Sequence, residues 1–295
     1  MSELRIVVGY TANEAGADAL ALANRIAAAA EGTLEVVMVL PSEAHNSRVP
    51  VDAGYIRYLR EQSREWLTEA SGHLGADVAS KLHIRYAESY AEGLIAAAHE
   101  FDSHLIVVGA AGGGLLGRSS IGSVGNELLH SSDVPVVLAP SGSREIPAAQ
   151  GVTRITACVG TRPGADVQLE TATLLARATH APLRLVSLVP IDLPAGLDAH
   201  LAELTSATHA ESVLAEAHQA LPDGVEASVE TATGSTIEEA VRALDWHQGE
   251  VVLVGSSRLA APRRLFLGST AAKMLRELPV PMIVVPRTTN GKASQ

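Results

Sequence analysis

The segment GNELLHSSDVPVVLAP, ending at Pro140, returns as AKMLRELPVPMIVVP ending at Pro286. Gly122-Ser123 likewise returns as Gly268-Ser269, 146 residues on, and LEVVMVLP, ending at Pro41, returns as LRLVSLVP ending at Pro190. Solenoid units repeat every 20–50 residues or so, and a spacing this much longer marks a duplicated domain instead. A chain of 295 residues has room for two such units. They fall at residues 1–141 and 152–287, joined by SGSREIPAAQG, which has the Gly, Pro and Ser content of a linker.

Within each unit short apolar runs alternate with helical patterns. Arg5 to Tyr10, Leu34 to Leu40, Leu105 to Gly109 and Val134 to Leu138 read as strands, and Leu82 to Ala87 alternates as an edge strand does. Helices are expected over Asn13 to Ala30, Val51 to Leu74, Ser89 to Glu100 (with Ser89 and Glu92 as a capping box) and Ile121 to Ser131. The second unit repeats the order, with a long helix over Ala195 to Leu221, a capping box at Ser235 and Glu238, and a following helix that runs to Trp246. Strands alternating with helices build a parallel sheet covered on both faces. The fold class is therefore α/β: two tandem doubly wound domains, each a five-stranded parallel sheet. Aromatic residues are only 3% of a chain that is 47% hydrophobic, so the core must be Ala, Val, Leu and Ile.

The densest glycine content lies in LIVVGAAGGGLLGRSSIGSVGNELLHSSDVPVVLAP, from Leu105 to Pro140. A glycine-rich loop emptying into a helix start presents backbone N–H groups and a partial positive charge to an anion, and the missing side chains let a phosphate come close. Gly112, Gly114 and Gly117 satisfy G-x-G-x-x-G, but they follow the fourth strand of their unit, and the acids downstream are Glu127 on the helix and Asp133 beyond it. A dinucleotide fingerprint belongs after the first strand, with its ribose-binding acid about 20 residues on. No G-x-x-x-x-G-K-[ST] occurs in the sequence.

The second spacing, Gly109-x2-Gly112-x9-Gly122-Ser123, with VVG before it and DVPVVLAP after it, resembles the nucleotide-binding signature of universal stress proteins. The resemblance covers nearly the whole chain. It implies strand order 3-2-1-4-5 in each half and a nucleotide at the switch point between the first and fourth strands. The ligand would be ATP, with or without magnesium, and the chain a stress-response regulator. Gly109 and Gly112 would let the loop approach the ribose and first phosphates. Gly122, Ser123 and Val124 would supply N–H donors at the helix start, and adenine would meet backbone near Tyr10 and Val39. Where the family carries Asp after the first strand, this chain has Thr11, a weaker anchor than a carboxylate. In the second half Arg258 stands where Gly112 stands in the first, and VGTRPG also lacks the acid, so that half is expected to be degenerate.

Two other classes of function stay open at this point. One is a slow ATPase or adenylate-handling enzyme, against which stands the lack of a placed base or metal-binding acid beside the loop. The other is an interaction module that binds no nucleotide. No G-x-S-x-G elbow is present, and the clustered acids of a receiver domain are missing after both first strands. His200, His209 and His218 lie nine residues apart, so successive ones face opposite sides of a helix and form no metal site. Cys158, the only cysteine, sits inside an apolar run and reads as a small buried hydrophobe. The net charge is −11, which disfavours nucleic acid and anionic lipid as partners. With no apolar run of membrane-spanning length and no leader before the first strand, a cytoplasmic protein is expected. The apolar last strands are expected to pair the halves as an intramolecular pseudo-dimer, with homodimerisation of the whole chain as an extension.

Overall fold

The computed structural model describes residues 3–42, 53–110, 122–160, 164–190, 199–256, 265 and 267–287. The first half runs β1 (Arg5–Gly9), α1 (Glu14–Ala30), β2 (Thr33–Pro41), α2 (Ala53–Ser71), β3 (Ala79–Ala87), α3 (Tyr90–Glu100), β4 (Leu105–Gly109), α4 (Ser123–Ser131) and β5 (Val136–Ala139). The second repeats the series as β6 (Arg154–Cys158), α5 (Ala165–Thr179), β7 (Leu183–Pro190), α6 (Ala199–Gln219), β8 (Ala227–Gly234), α7 (Ile237–Ala243), β9 (Glu250–Gly255), α8 (Ser269–Glu277) and β10 (Met282–Val285).

Each half has the strand order 3-2-1-4-5, parallel throughout, but the two sheets are not separate. They merge into one sheet of ten strands, β3-β2-β1-β4-β5-β10-β9-β6-β7-β8. At the joint β5 and β10 run antiparallel, with Leu138 opposite Met282, Val137 opposite Ile283 and Val136 opposite Val284. Val137 and Ile283 are equivalent positions of the repeat, 146 residues apart, so the joint has the self-complementary geometry of an isologous dimer within one chain. These strands are buried on both faces, and either would be a bare apolar edge without the other.

Alternate residues of the strands serve two cores. Ile6, Val8, Val36, Val107 and Val137 face α1 with Leu22 and Ile26, and this layer continues through Ile283 and Ile155 into the second half. Val7, Val37, Ile106 and Val136 face α3 and α4 with Leu94, Leu128 and Leu129. Burial on both faces explains why the inner strands read as unbroken apolar runs.

Several local expectations are corrected. α7 is capped by Thr236, whose hydroxyl accepts from the Glu239 amide at 3.2 Å, while the Glu239 carboxylate accepts from the Ser235 amide at 3.0 Å. The sequence STIEE holds two overlapping Ser/Thr-x-x-Glu matches, and the later one forms rather than Ser235 with Glu238. α7 also stops at Ala243, short of Trp246, whose indole N–H donates to the Val241 carbonyl at 2.9 Å and whose ring lies 5.1 Å from the Arg184 guanidinium. At Ser89 only half of the box is present: its hydroxyl accepts from the Glu92 amide and donates to the Glu127 carboxylate.

The segment read as a linker is a fixed strap. It forms two short 3-10 turns, Ser143–Glu145 and Ala148–Gln150, and lies against α1. The Asp18 carboxylate, 2% exposed, accepts from the Gly142 amide at 3.2 Å, the Arg144 amide at 3.0 Å and the Arg144 guanidinium at 3.2 Å. Asp18→Ala leaves two amides without their acceptor and is expected to lower stability by about 2 kcal/mol in chemical denaturation. A surface acid on the same helix, such as Glu14, should cost under about 0.5 kcal/mol.

Candidate functional site

The carboxyl ends of β1 and β4 meet at the switch point of the first half, where ligands of open α/β sheets bind. On one side stands α4. Its N-cap is Gly122, in extended conformation, with no side-chain cap bond and no acid in the first turn. α1 and α3 instead start on Asn13 and Ser89, whose side chains accept a first-turn amide, and carry Glu14 and Glu92 there. A helix start without capping side chain or acid leaves its positive end open to an external anion. Ser123 is exposed, and Gly122 and Val124 are half-buried. Gly112, together with Arg118 in the first loop and Arg258 in the second, lies outside the described residues.

Gly109 has a packing duty. A Cβ there would lie 2.0 Å from the Ala15 carbonyl oxygen, so α1 presses its first turn onto the end of β4. Gly16 is held as tightly, since its Cβ would fall 1.9 Å from the Thr11 carbonyl oxygen. Gly109→Ala is therefore expected to destabilise the ligand-free protein by about 1–3 kcal/mol, read from denaturant unfolding, through overpacking alone.

The turn between β1 and α1 is internally satisfied. The Thr11 hydroxyl donates to Asn13 Oδ1 at 2.9 Å, and the same oxygen accepts from the Gly16 amide at 2.9 Å. Thr11 thus supports the helix cap, with the oxygen lone pairs of its hydroxyl remaining for a ligand. Tyr10 is buried, its amide donating to the Val37 carbonyl at 2.9 Å. Val39 is buried too, with its methyls against Gly93, where a Cβ would come within 2.6 Å of them. What Val39 can offer a ligand is backbone.

The residue that sequence reasoning missed is Tyr90. Its phenol donates to the Tyr10 carbonyl and hydrogen-bonds with the Val39 backbone, joining the two backbone points expected to meet adenine. Burial pushes the phenol well above its ordinary pKa, a rise that the bond with Val39 partly offsets, so the hydroxyl stays protonated and bridges as a neutral group. The sequence placed this residue only as the first position after a helix cap. Its reach across the sheet to β1 and β2 has no local signature. Tyr90→Phe strands buried backbone groups and is expected to cost about 1–3 kcal/mol by thermal or chemical unfolding.

The acids nearest the loop are engaged elsewhere. Glu127 accepts from the Ser89 hydroxyl, and Asp133 Oδ1 lies 2.7 Å from His99 Nε2. Among the described residues no three of His, Cys, Asp and Glu gather closely enough to hold a metal ion, and no helix is long and apolar enough to cross a membrane. The arrangement can hold an anion at a helix start.

Two doubly wound units fused through their last strands, each with a glycine-capped helix after its fourth strand, define the architecture. The profile of the universal stress protein family matches residues 4–140 and again 151–286, and the chain belongs to that family. It is similar to a universal stress protein of Mycobacterium tuberculosis, 29% identical over 297 aligned residues that cover 96% of this chain and 100% of that protein. Among solved structures, a universal stress protein of Archaeoglobus fulgidus superposes with a TM-score of 0.67 at 19% identity, covering 98% of this chain and 100% of that one. A putative universal stress protein of Pseudomonas aeruginosa gives 0.58 at 17% identity, covering 97% and 94%. These likenesses establish a shared fold.

Proposed function

We propose that the chain is an adenine-nucleotide-binding regulator of the stress response, with ATP held in the first half. The observation that carries this reading is the start of α4. It is capped by Gly122 and carries no acid, it stands at the switch point, and it completes the G-x2-G-x9-G-S spacing with Gly109 and Gly112. Gly122, Ser123 and Val124 would receive phosphate, the Thr11 hydroxyl would meet ribose, and Tyr10 and Val39 would meet adenine through their backbones. Magnesium would travel with the phosphates rather than sit on protein carboxylates. Binding, and not turnover, fits a site whose neighbouring acids are tied to Ser89 and His99.

A second reading, an interaction module that takes no nucleotide, is favoured by one observation: the Tyr90 phenol already occupies the backbone groups that adenine would use. On the first reading adenine displaces that phenol and affinity is modest.

Calorimetric titration with ATP separates the readings, and about one site per chain is expected. Gly112→Arg, which copies the residue at Arg258 of the second half, should abolish binding while shifting unfolding by no more than about 0.5 kcal/mol. Two equivalent sites, or binding that survives Gly112→Arg, would overturn the first-half assignment. No heat and no thermal shift at millimolar ATP would favour the interaction module.

A further inference from the structure

The equivalent crevice of the second half has a different interior. β6 ends at Cys158 and β9 at Gly255, side by side in the sheet, and above them a cavity of about 290 Å³ opens between α5, α6 and α8. Its walls are mixed but more apolar than polar: Val159, Leu188, Val213, Ile237 and Met274 line it together with Ser187, His209, Thr270 and Arg287. The Cys158 thiol, pushed up to about 12 chiefly by burial, stays neutral and adds to this lining. In the first half α1 packs its backbone onto Gly109; here the space over Gly255 faces a side chain, Gln168 of α5.

Gln168 is 3% exposed, and its amide nitrogen donates to the Cys158 carbonyl at 2.9 Å and the Leu253 carbonyl at 3.0 Å. Those two carbonyls, one from each strand, consume both protons and fix the orientation of the amide, because a reversed amide would set oxygen against oxygen. Oε1 is left as an acceptor on the cavity wall, and among the described residues no donor pairs with it. A Cβ on Gly255 would stand 3.1 Å from it, so the glycine keeps the approach clear. An acceptor at a cavity wall is met by water until a donor on a bound molecule replaces it, and a molecule that displaces the water without offering a donor loses that bond.

We infer that this crevice is a binding site in its own right, for a small, largely apolar molecule bearing one N–H or O–H donor. Its volume lies at the lower end of ligand cavities, roughly 300–1,000 Å³. It suits a molecule of bicyclic size. The acceptor at its floor selects for a donor at that point. The inference does not depend on the nucleotide reading of the first half.

Indole and indene test it, since they share a shape and only indole carries N–H. Titrated calorimetrically into the full chain, indole should bind once per chain, with indene weaker by roughly tenfold. Excess ATP should leave indole binding unchanged. Gln168→Leu should erase the preference for indole. Gly255→Ala, which places a methyl 3.1 Å from Oε1, should weaken indole by a similar factor while the chain still unfolds in one cooperative transition. Absence of saturable indole binding, equal affinities for the two probes, or displacement of indole by ATP would each overturn the proposal. The comparison of probes in the unaltered protein stands even if Gln168→Leu fails to fold.

Discussion

The ladder between β5 and β10 is the contact on which the architecture depends. Both strands are only four residues long and buried on both faces, so each has two apolar faces to cover and one edge to pair. Neither half supplies a partner for its own last strand on that side. Pairing Val137 with Ile283 solves both edges at once and makes the layers on the two faces of the sheet continuous from one half to the other. The strap held by Asp18 and the contact of α1 with α5 then lie over a joint that is already fixed.

On this common frame the two crevices diverge through how the first helix of each half meets the sheet. In the first half backbone meets backbone, and glycines at 16 and 109 are the only residues that permit it. In the second half a glutamine amide spans the ends of β6 and β9, holding the helix farther off and leaving a hollow. The same topology thus yields one crevice floored by main chain and another floored by a single polar side chain. The difference between the crevices lies in that floor and not in the strand order.

Much of the fold was legible in the sequence. The inner strands are continuous apolar runs because parallel strands are covered on both faces, and duplication doubled every signal. Strand and helix limits deviate by a few residues where the pattern is degenerate, as in STIEE, where two cap registers overlap. The candidate site was legible where it rests on local chemistry, namely the glycine start of α4. It was not legible where it rests on distant contacts. Tyr90 reaching Tyr10, Gln168 reaching Leu253 and Asp18 reaching Arg144 span 80, 85 and 126 residues, and nothing in the neighbouring sequence marks them. The linker is a further case: its composition marks the join between the halves, and its contacts with α1 come from a helix far upstream.

The tether between the halves has a consequence for how such a chain can change. Two separate subunits meet at a rate and occupancy set by their concentration, whereas halves on one chain see each other at an effective concentration of about a millimolar or more. The joint therefore forms at any expression level. Because the partners are encoded separately, a substitution in one crevice is not copied into the other, as it would be in a symmetric dimer. Selection can hold Val137 and Ile283 complementary while it lets Gly112 and Arg258 part company. The fused sheet is in this sense an obligate heterodimer that was made without a second gene.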